Sequence, residues 1–207
     1  MADSGSALLN CTLLLGSKSP RRRELLERLG IPCRMVDIDV DETLSEAVAP
    51  ARVAETLARR KSLAYTTAIA DNEVLVTADT VVVHEDTVLG KPRSSEEAVA
   101  MLQMLSDCTH QVYTGVCLRG SESMVSFTEC TDVSFHHLAL QEITYYVNTY
   151  RPYDKAGSYG IQEWIGMVGI DRIEGCFYNV MGLPVARLYK ELKRLVNRDL
   201  PLVNEQA

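Results

Sequence analysis

The run VLVTADTVVV, residues 74–83, restricts the fold most: nine of its ten residues are apolar, small or threonine. So short and apolar a run, rich in β-branched side chains, reads as a buried strand. EVLVTADTVVVHEDTVLG as a whole reads as a buried strand, a break near Asp79, then a second strand and a turn. The single charge, Asp79, serves no solubility purpose there. Ionised, it needs cations or a metal; desolvated, a carboxylate becomes more basic and suits general-base work. A structural turn aspartate is the alternative.

The rest of the chain must cover that strand, and strands and helices alternate to do so. Leu13 to Leu15 form a short apolar strand. Ser19 suits an N-cap and Pro20 a first helical turn, with Gly30 closing the helix. CRMVDIDV alternates like a second strand. A long helix covers about Pro50 to Ile69. SSEE, Ser94 to Glu97, is a capping-box pattern opening a helix to about Leu105. HQVYTGVCLRG and MVSFTECTDVSFHHL read as paired strands around a GSES turn. A helix over about Gln141 to Asn148, a glycine-rich stretch from Asp154 to Gly175, and a turn with an amphipathic helix in NVMGLPVARLYKELKRL complete a mixed α/β chain. The 207 residues suit one domain, 1–207, in which the middle hairpin supplies a second lobe. The ends, about 1–10 and 198–207, are expected to fray.

Composition narrows the partners. A net charge of −7 disfavours a nucleic-acid polymer or an anionic membrane, and 6% aromatic residues leave little for a base-stacking platform. One small anion in a local basic pocket stays compatible. MADSGSALLN lacks a basic start and a long apolar run, and no stretch approaches the ~20 apolar residues that span a bilayer. The six cysteines show no CxxC pair, so reduced thiols in a cytoplasmic protein are expected.

GSKSPRRRELLERLG places Arg21, Arg22 and Arg23 in a helix's opening turn, where the macrodipole disfavours cations. At about 100° per residue, Leu25, Leu26 and Leu29 define the buried face, and Arg22 falls on it. Arg21 borders that face; Arg23 points away. An inward arginine needs a counter-ion, and free N–H groups at a helix start attract anions. With Ser17 and Ser19, the segment reads either as a phosphate cradle or as an arginine paired internally with Asp41 or Glu42. It is not a P-loop, because GxxxxGK[ST] is absent. The next helix repeats the pattern: Lys61 lies in the stripe of Val53, Leu57, Ala64 and Ala68, either snorkelling or facing the same anion. Asp39 to Glu42 supply further carboxylates, whose oxygens suit Mg²⁺. Lys91, in GKPR, adds a cation beside a glycine turn. His136 and His137 face opposite sides of a strand, and His84 and His110 have no visible partners. Tyr145, Tyr146, Tyr150 and Tyr153 suit packing or a rim. GxSxG, HExxH and GxGxxG are absent. Together the residues describe a magnesium-polyphosphate site in an acidic protein.

The segments GSKSPRRRELLERLGI, DVDET, ARRKS, TADTVVV, GKPRSSEEA, HQVYTGV, DKAGSYGIQ and NVMGLPV, in this order over about residues 11 to 195, resemble the Maf family. The resemblance implies a nucleoside triphosphate pyrophosphatase related in fold to the inosine-triphosphate pyrophosphatases. That fold is a mixed, elongated sheet flanked by helices, with two lobes around a central cleft. It also implies a cytoplasmic homodimer dependent on a divalent cation, Mg²⁺ or Mn²⁺. Carried over by position, Ser17, Arg21, Arg22, Lys61 and Lys91 would hold phosphates, and Asp79 would accept the proton from water. Glu42 and Asp79 would hold the metal. Arg21, Thr80 and Gln162 match the dTTP/UTP branch, so dTTP and UTP are the expected substrates. The alternatives are 7-methyl-GTP, a modified pyrimidine triphosphate, or a non-catalytic nucleotide-binding regulator of cell division. GIQEWIG departs from the usual GIQG and puts Glu163 and Trp164 beside Gln162, where they bear on base selectivity.

Overall fold

The computed structural model describes residues 11–43 and 48–199. Seven strands form one mixed sheet: β1 (Thr12–Leu15), β2 (Cys33–Met35), β3 (Glu73–His84), β4 (Thr87–Leu89), β5 (Thr109–Arg119), β6 (Met124–Phe135) and β7 (Ile170–Glu174). Their order is β2-β1-β3-β5-β6-β7, with β4 also on β3. β1 runs parallel to β2 and β3, and the remaining pairs are antiparallel. The helices are α1 (Pro20–Arg28), α2 (Pro50–Ala64), α3 (Ser95–Leu105), α4 (Leu140–Tyr150), α5 (Trp164–Gly169), α6 (Phe177–Met181) and α7 (Val185–Asp199), with a 3₁₀ turn at Ala156–Ser158. This is the mixed α/β sheet flanked by helices that the alternation of patterns predicts.

Period two along β3 assigns the two layers. Val74, Val76, Ala78 and Val82 join the main core with Leu25 and Leu26 of α1, Leu102 of α3, Ile143 of α4 and Leu188 of α7. Val81 and Val83 pack on the other face against Val53, Ala54 and Leu57 of α2. Thr77 faces α2 as well, donating to the Ala58 carbonyl at 2.7 Å. Asp79 therefore projects to the α2 face and Thr80 to the opposite one. α2 lies close because β5 has Gly115 directly beside Asp79 in the ladder. A Cβ at Gly115 would stand 2.2 Å from the Glu55 nitrogen.

Several boundaries differ from expectation. No break occurs at Asp79: β3 pairs with β5 continuously from Leu75 to Val83. The aspartate is tolerated because its carboxylate takes up a free edge N–H, that of Thr80. CRMVDIDV is strand only over Cys33–Met35, since β1 ends at Leu15, the partner of Met35. α2 stops at Ala64, where Tyr65 turns extended ahead of two β-branched threonines. α4 is longer, over Leu140–Tyr150, and Arg151 in the left-handed region ends it. Ser94 caps α3 by accepting the Glu97 N–H, but Glu97 reaches back to the Arg93 N–H and not to that of Ser94. The glycine-rich stretch contains α5 and β7, whose IDRIE sequence pairs with the edge of β6. The end expected to fray from 198 starts inside α7, which runs to Asp199; residues 1–10 and 200–207 lie outside the described residues.

His110 does have a partner. It is fully buried on β5, stacked on Phe135, with Nε2 2.8 Å from the Tyr159 hydroxyl. Burial, reinforced by neighbouring His84, pulls its pKa down to about 3. The unfolded chain binds this proton near pH 6.5 and the folded chain does not. Its contribution to stability is therefore complete above about pH 6.5 and declines as pH falls toward 3, by about 2 kcal/mol at pH 5. Melting temperatures at pH 7 and pH 5 should differ less in His110→Gln than in the parent protein.

Candidate active site

On one edge of β3, residues 73–76 pair with β1 and residues 82–84 with β4. Residues 77–81 have no strand partner there among the described residues. β1 ends at this opening, and its loop, residues 16–19, leads into α1. Crevices of this kind, at the carboxyl end of a strand where the sheet pairing divides, are habitual ligand sites. The cleft above it encloses about 420 Å³. Ser17, Arg21, Arg22, Glu42, Lys61, Asp79, Thr80, Lys91 and Gln162, expected on sequence grounds from separate segments, all line it. The wall carries six cationic side chains and four carboxylates, a local positive excess in a chain of net charge −7.

Arg22 answers for the charge at the start of α1. Ser19 caps that helix and its first turn carries no acidic residue. The Arg22 side chain turns inward and is 8% exposed. Nε donates to the Gly182 carbonyl at 2.8 Å, Nη1 to the Ala78 carbonyl at 3.0 Å and Ser17 Oγ at 3.2 Å, and Nη2 to Thr80 Oγ1 at 2.9 Å. The Ala78 carbonyl belongs to the unpaired edge of β3, so the guanidinium fills part of the missing ladder. Neither Asp41 nor Glu42 bonds it: Asp41 accepts the Thr43 N–H and Glu42 pairs with Lys61. Burial lowers the Arg22 pKa and nearby Asp79 opposes that shift; arginine remains charged regardless. A buried cation held only by neutral acceptors puts a fixed positive potential behind the loop. Among the described residues, one of its five N–H groups stays uncommitted. Ser17 Oγ accepts from both Arg22 and the Ser19 N–H, so its own proton is left for a ligand.

Lys61 does not snorkel. Its ammonium stands 2.8 Å from Glu42 Oε1 and 3.1 Å from Asp79 Oδ2. Asp79 Oδ1 accepts the Thr80 N–H at 2.8 Å, so each carboxylate oxygen has one fixed contact and a free lone pair. Two carboxylates reaching one point with oxygen donors suit a hard divalent cation. No cluster of three or more His, Cys, Asp or Glu side chains with metal-binding geometry occurs among the described residues. A cation here would complete its shell with phosphate oxygens and water, which is how Mg²⁺ is commonly held. Lys91 lines the cleft exposed, without an ion pair among the described residues. Arg23, as its direction predicts, sits outside and pairs with Glu27.

Other participants escape sequence reasoning. Arg21 Nη1 holds Asp154 at 2.6 Å, Asp154 holds Lys155 at 2.8 Å, and Lys155 reaches Glu163 at 3.0 Å. Burial raises the Asp154 pKa, but the bonds from Lys155 and Arg21 outweigh it and hold the carboxyl at about 2. Glu163 also accepts from the Tyr146 hydroxyl, which in turn accepts the Gly160 N–H. The departure GIQE thus anchors the loop beside Gln162 to α4. Trp164 packs edge-on to Tyr145, with ring centroids 5.0 Å apart. Gln162 itself is exposed into the cleft with no internal hydrogen bond among the described residues. His136, set aside as a metal ligand, places both ring nitrogens on carbonyls, of His137 and Val168.

The family model described as Maf-like protein matches residues 12–195. A Bacteroides thetaiotaomicron protein called dTTP/UTP pyrophosphatase is 49% identical over 184 residues, 88% of this chain and 95% of its own length. Proteins of the same description from Parabacteroides distasonis and Porphyromonas gingivalis are each 50% identical, spanning 87% of this chain and 94% and 92% of theirs. The solved structure of the Staphylococcus aureus Ham1 protein overlaps with a TM-score of 0.42 at 17% identity, covering 60% of this chain and 71% of that one, too loosely to carry weight. The match along the whole described core, on the segments that build the cleft, makes this chain a member of the Maf family.

Proposed function

We propose that the chain hydrolyses dTTP and UTP between the α- and β-phosphorus atoms, releasing the nucleoside monophosphate and pyrophosphate. The observation that carries this reading is the placement of Asp79 in the unpaired stretch of β3, inside the cationic cleft. Relatives about half identical in sequence that are named for this activity support it.

In this reading the triphosphate lies along the loop of residues 16–19. Ser17 donates its free proton, and Arg21, Lys61 and Lys91 take phosphate oxygens. Arg22 contributes chiefly charge, through a potential already in place before the reaction. Asp79 orients the attacking water and accepts its proton. A divalent cation, Mg²⁺ or Mn²⁺, held by Glu42 and Asp79 together with the phosphates, would polarise the scissile phosphoanhydride and lower the pKa of bound water. Lys61 would then give up its contact with one or both carboxylates in favour of phosphate. The Gln162 amide offers a donor and an acceptor to a pyrimidine edge. A homodimer in the cytoplasm belongs to the same reading, carried over from the family resemblance. All six cysteines are free thiols, and no described helix is long and apolar enough to cross a membrane.

A panel of nucleoside triphosphates, including 7-methyl-GTP, with Mg²⁺ or Mn²⁺ tests the proposal by its products. Monophosphate plus pyrophosphate from dTTP and UTP is the expected result. Diphosphate plus phosphate would refute the cleavage position. The same nucleotides should raise the melting temperature, more so with Mg²⁺ present.

A further inference from the structure

Thr80 shares a hydrogen bond of 2.9 Å with Thr114 of β5, and Thr114 donates to the Asn179 carbonyl at 3.0 Å. The two ends of this chain fix its direction. A carbonyl only accepts, so the Thr114 proton is spent on Asn179. Thr114 can then only accept from Thr80, so the Thr80 proton is spent as well. That leaves a Thr80 lone pair for the guanidinium, which only donates. The order is Arg22 to Thr80 to Thr114 to the Asn179 carbonyl. Its far end is rigid: Thr114 and Asn179 are fully buried, and Asn179 Nδ2 holds the Val112 carbonyl and Thr131 Oγ1. Arg22 also bonds directly to Gly182, just beyond the same short helix. Thr80 consequently has no proton to offer a nucleobase, and its influence runs toward the phosphate end.

We propose that Thr114 is a positioning residue which, through Thr80, sets where the Arg22 guanidinium sits behind the phosphate loop. The inference rests on the triphosphate reading of the same cleft. Replacing Thr114 by valine keeps the shape and removes both hydrogen bonds, leaving the Thr80 proton without its acceptor and its lone pair no longer aimed. Serine restores the hydroxyl.

Tripolyphosphate binding, measured by calorimetry on the full chain with Mg²⁺, tests this without needing turnover. Thr114→Val should weaken binding by at least about fivefold, and Thr114→Ser should bind within about twofold of the parent. The double variant with Thr80→Val should be no weaker than Thr80→Val alone, because the two residues act in series. Should Thr114→Val not fold, Thr114→Cys, a poor hydrogen-bonding group of similar size, takes its place with a smaller loss expected. Equal binding by Thr114→Val and parent overturns the proposal, as do equal losses in the serine and valine variants or additive losses in the double variant. A parent protein that binds no tripolyphosphate removes the triphosphate reading, and this proposal with it.

Discussion

Asp79→Asn is expected to lower turnover of dTTP by about 10²–10⁴-fold, the usual worth of a positioned general base. The amide keeps the shape, and its oxygen still accepts the Thr80 N–H that Oδ1 holds at 2.8 Å. Lys61 loses one of its two carboxylates and keeps Glu42 at 2.8 Å. Triphosphate affinity measured without a divalent cation should therefore survive, or tighten slightly, because a negative charge leaves a site that receives negative charge; with Mg²⁺ it should weaken, because a proposed metal ligand is lost. Calorimetry for binding and product chromatography for turnover separate the two effects. Slow turnover unaltered by the substitution would favour a non-catalytic nucleotide-binding regulator and move any base elsewhere.

Gly115→Ala is expected to give the largest loss of stability, at least about 3 kcal/mol. The added Cβ would lie 2.2 Å from the Glu55 nitrogen and 2.3 Å from the Ala54 carbonyl carbon. Backbone atoms inside a helix cannot move aside singly, so α2 as a whole must withdraw from the sheet. For a chain of this length the melting temperature should fall by about 6–12 °C. Lys61 travels with α2, so turnover should fall further than the stability loss alone would cause. Gly90→Ala is the control: a Cβ there meets nothing within 4 Å, and stability should change by less than about 0.5 kcal/mol. A melting temperature for Gly115→Ala within a degree or two of the parent would show that α2 is not held by this contact.

The sequence disclosed those parts of the site that periodicity could reach. Arg22 shared a face with Leu25 and Leu26, and Lys61 shared one with Val53 and Leu57; both point inward as that spacing implies. Asp79 stood out as the one charge in an apolar run, but the strand break expected beside it does not occur. What Arg22 bonds to was not legible. Its acceptors are the Gly182 and Ala78 carbonyls and two hydroxyls, brought in from as far as 160 residues away, and main-chain acceptors leave no mark in a sequence. Asp154 and Lys155 were missed because an irregular glycine-rich loop has no period to read. Thr114 was missed because a threonine in a strand is ordinary, and its role exists only through the register that sets it opposite Thr80. Strand ends failed where pairing partners set them, as β2 shows by stopping with its neighbour.

β3 is held by β1 below the opening, by β4 above it and by β5 along nearly its whole length. A slip of one residue would put Thr80 where Asp79 belongs and turn the carboxylate toward the opposite layer. Three neighbours oppose that slip, so the position of the proposed base is enforced by main-chain pairing and not by the contacts of the aspartate itself. On the proposed reading, drift in cleft side chains would retune which base is accepted while Asp79 stays in place.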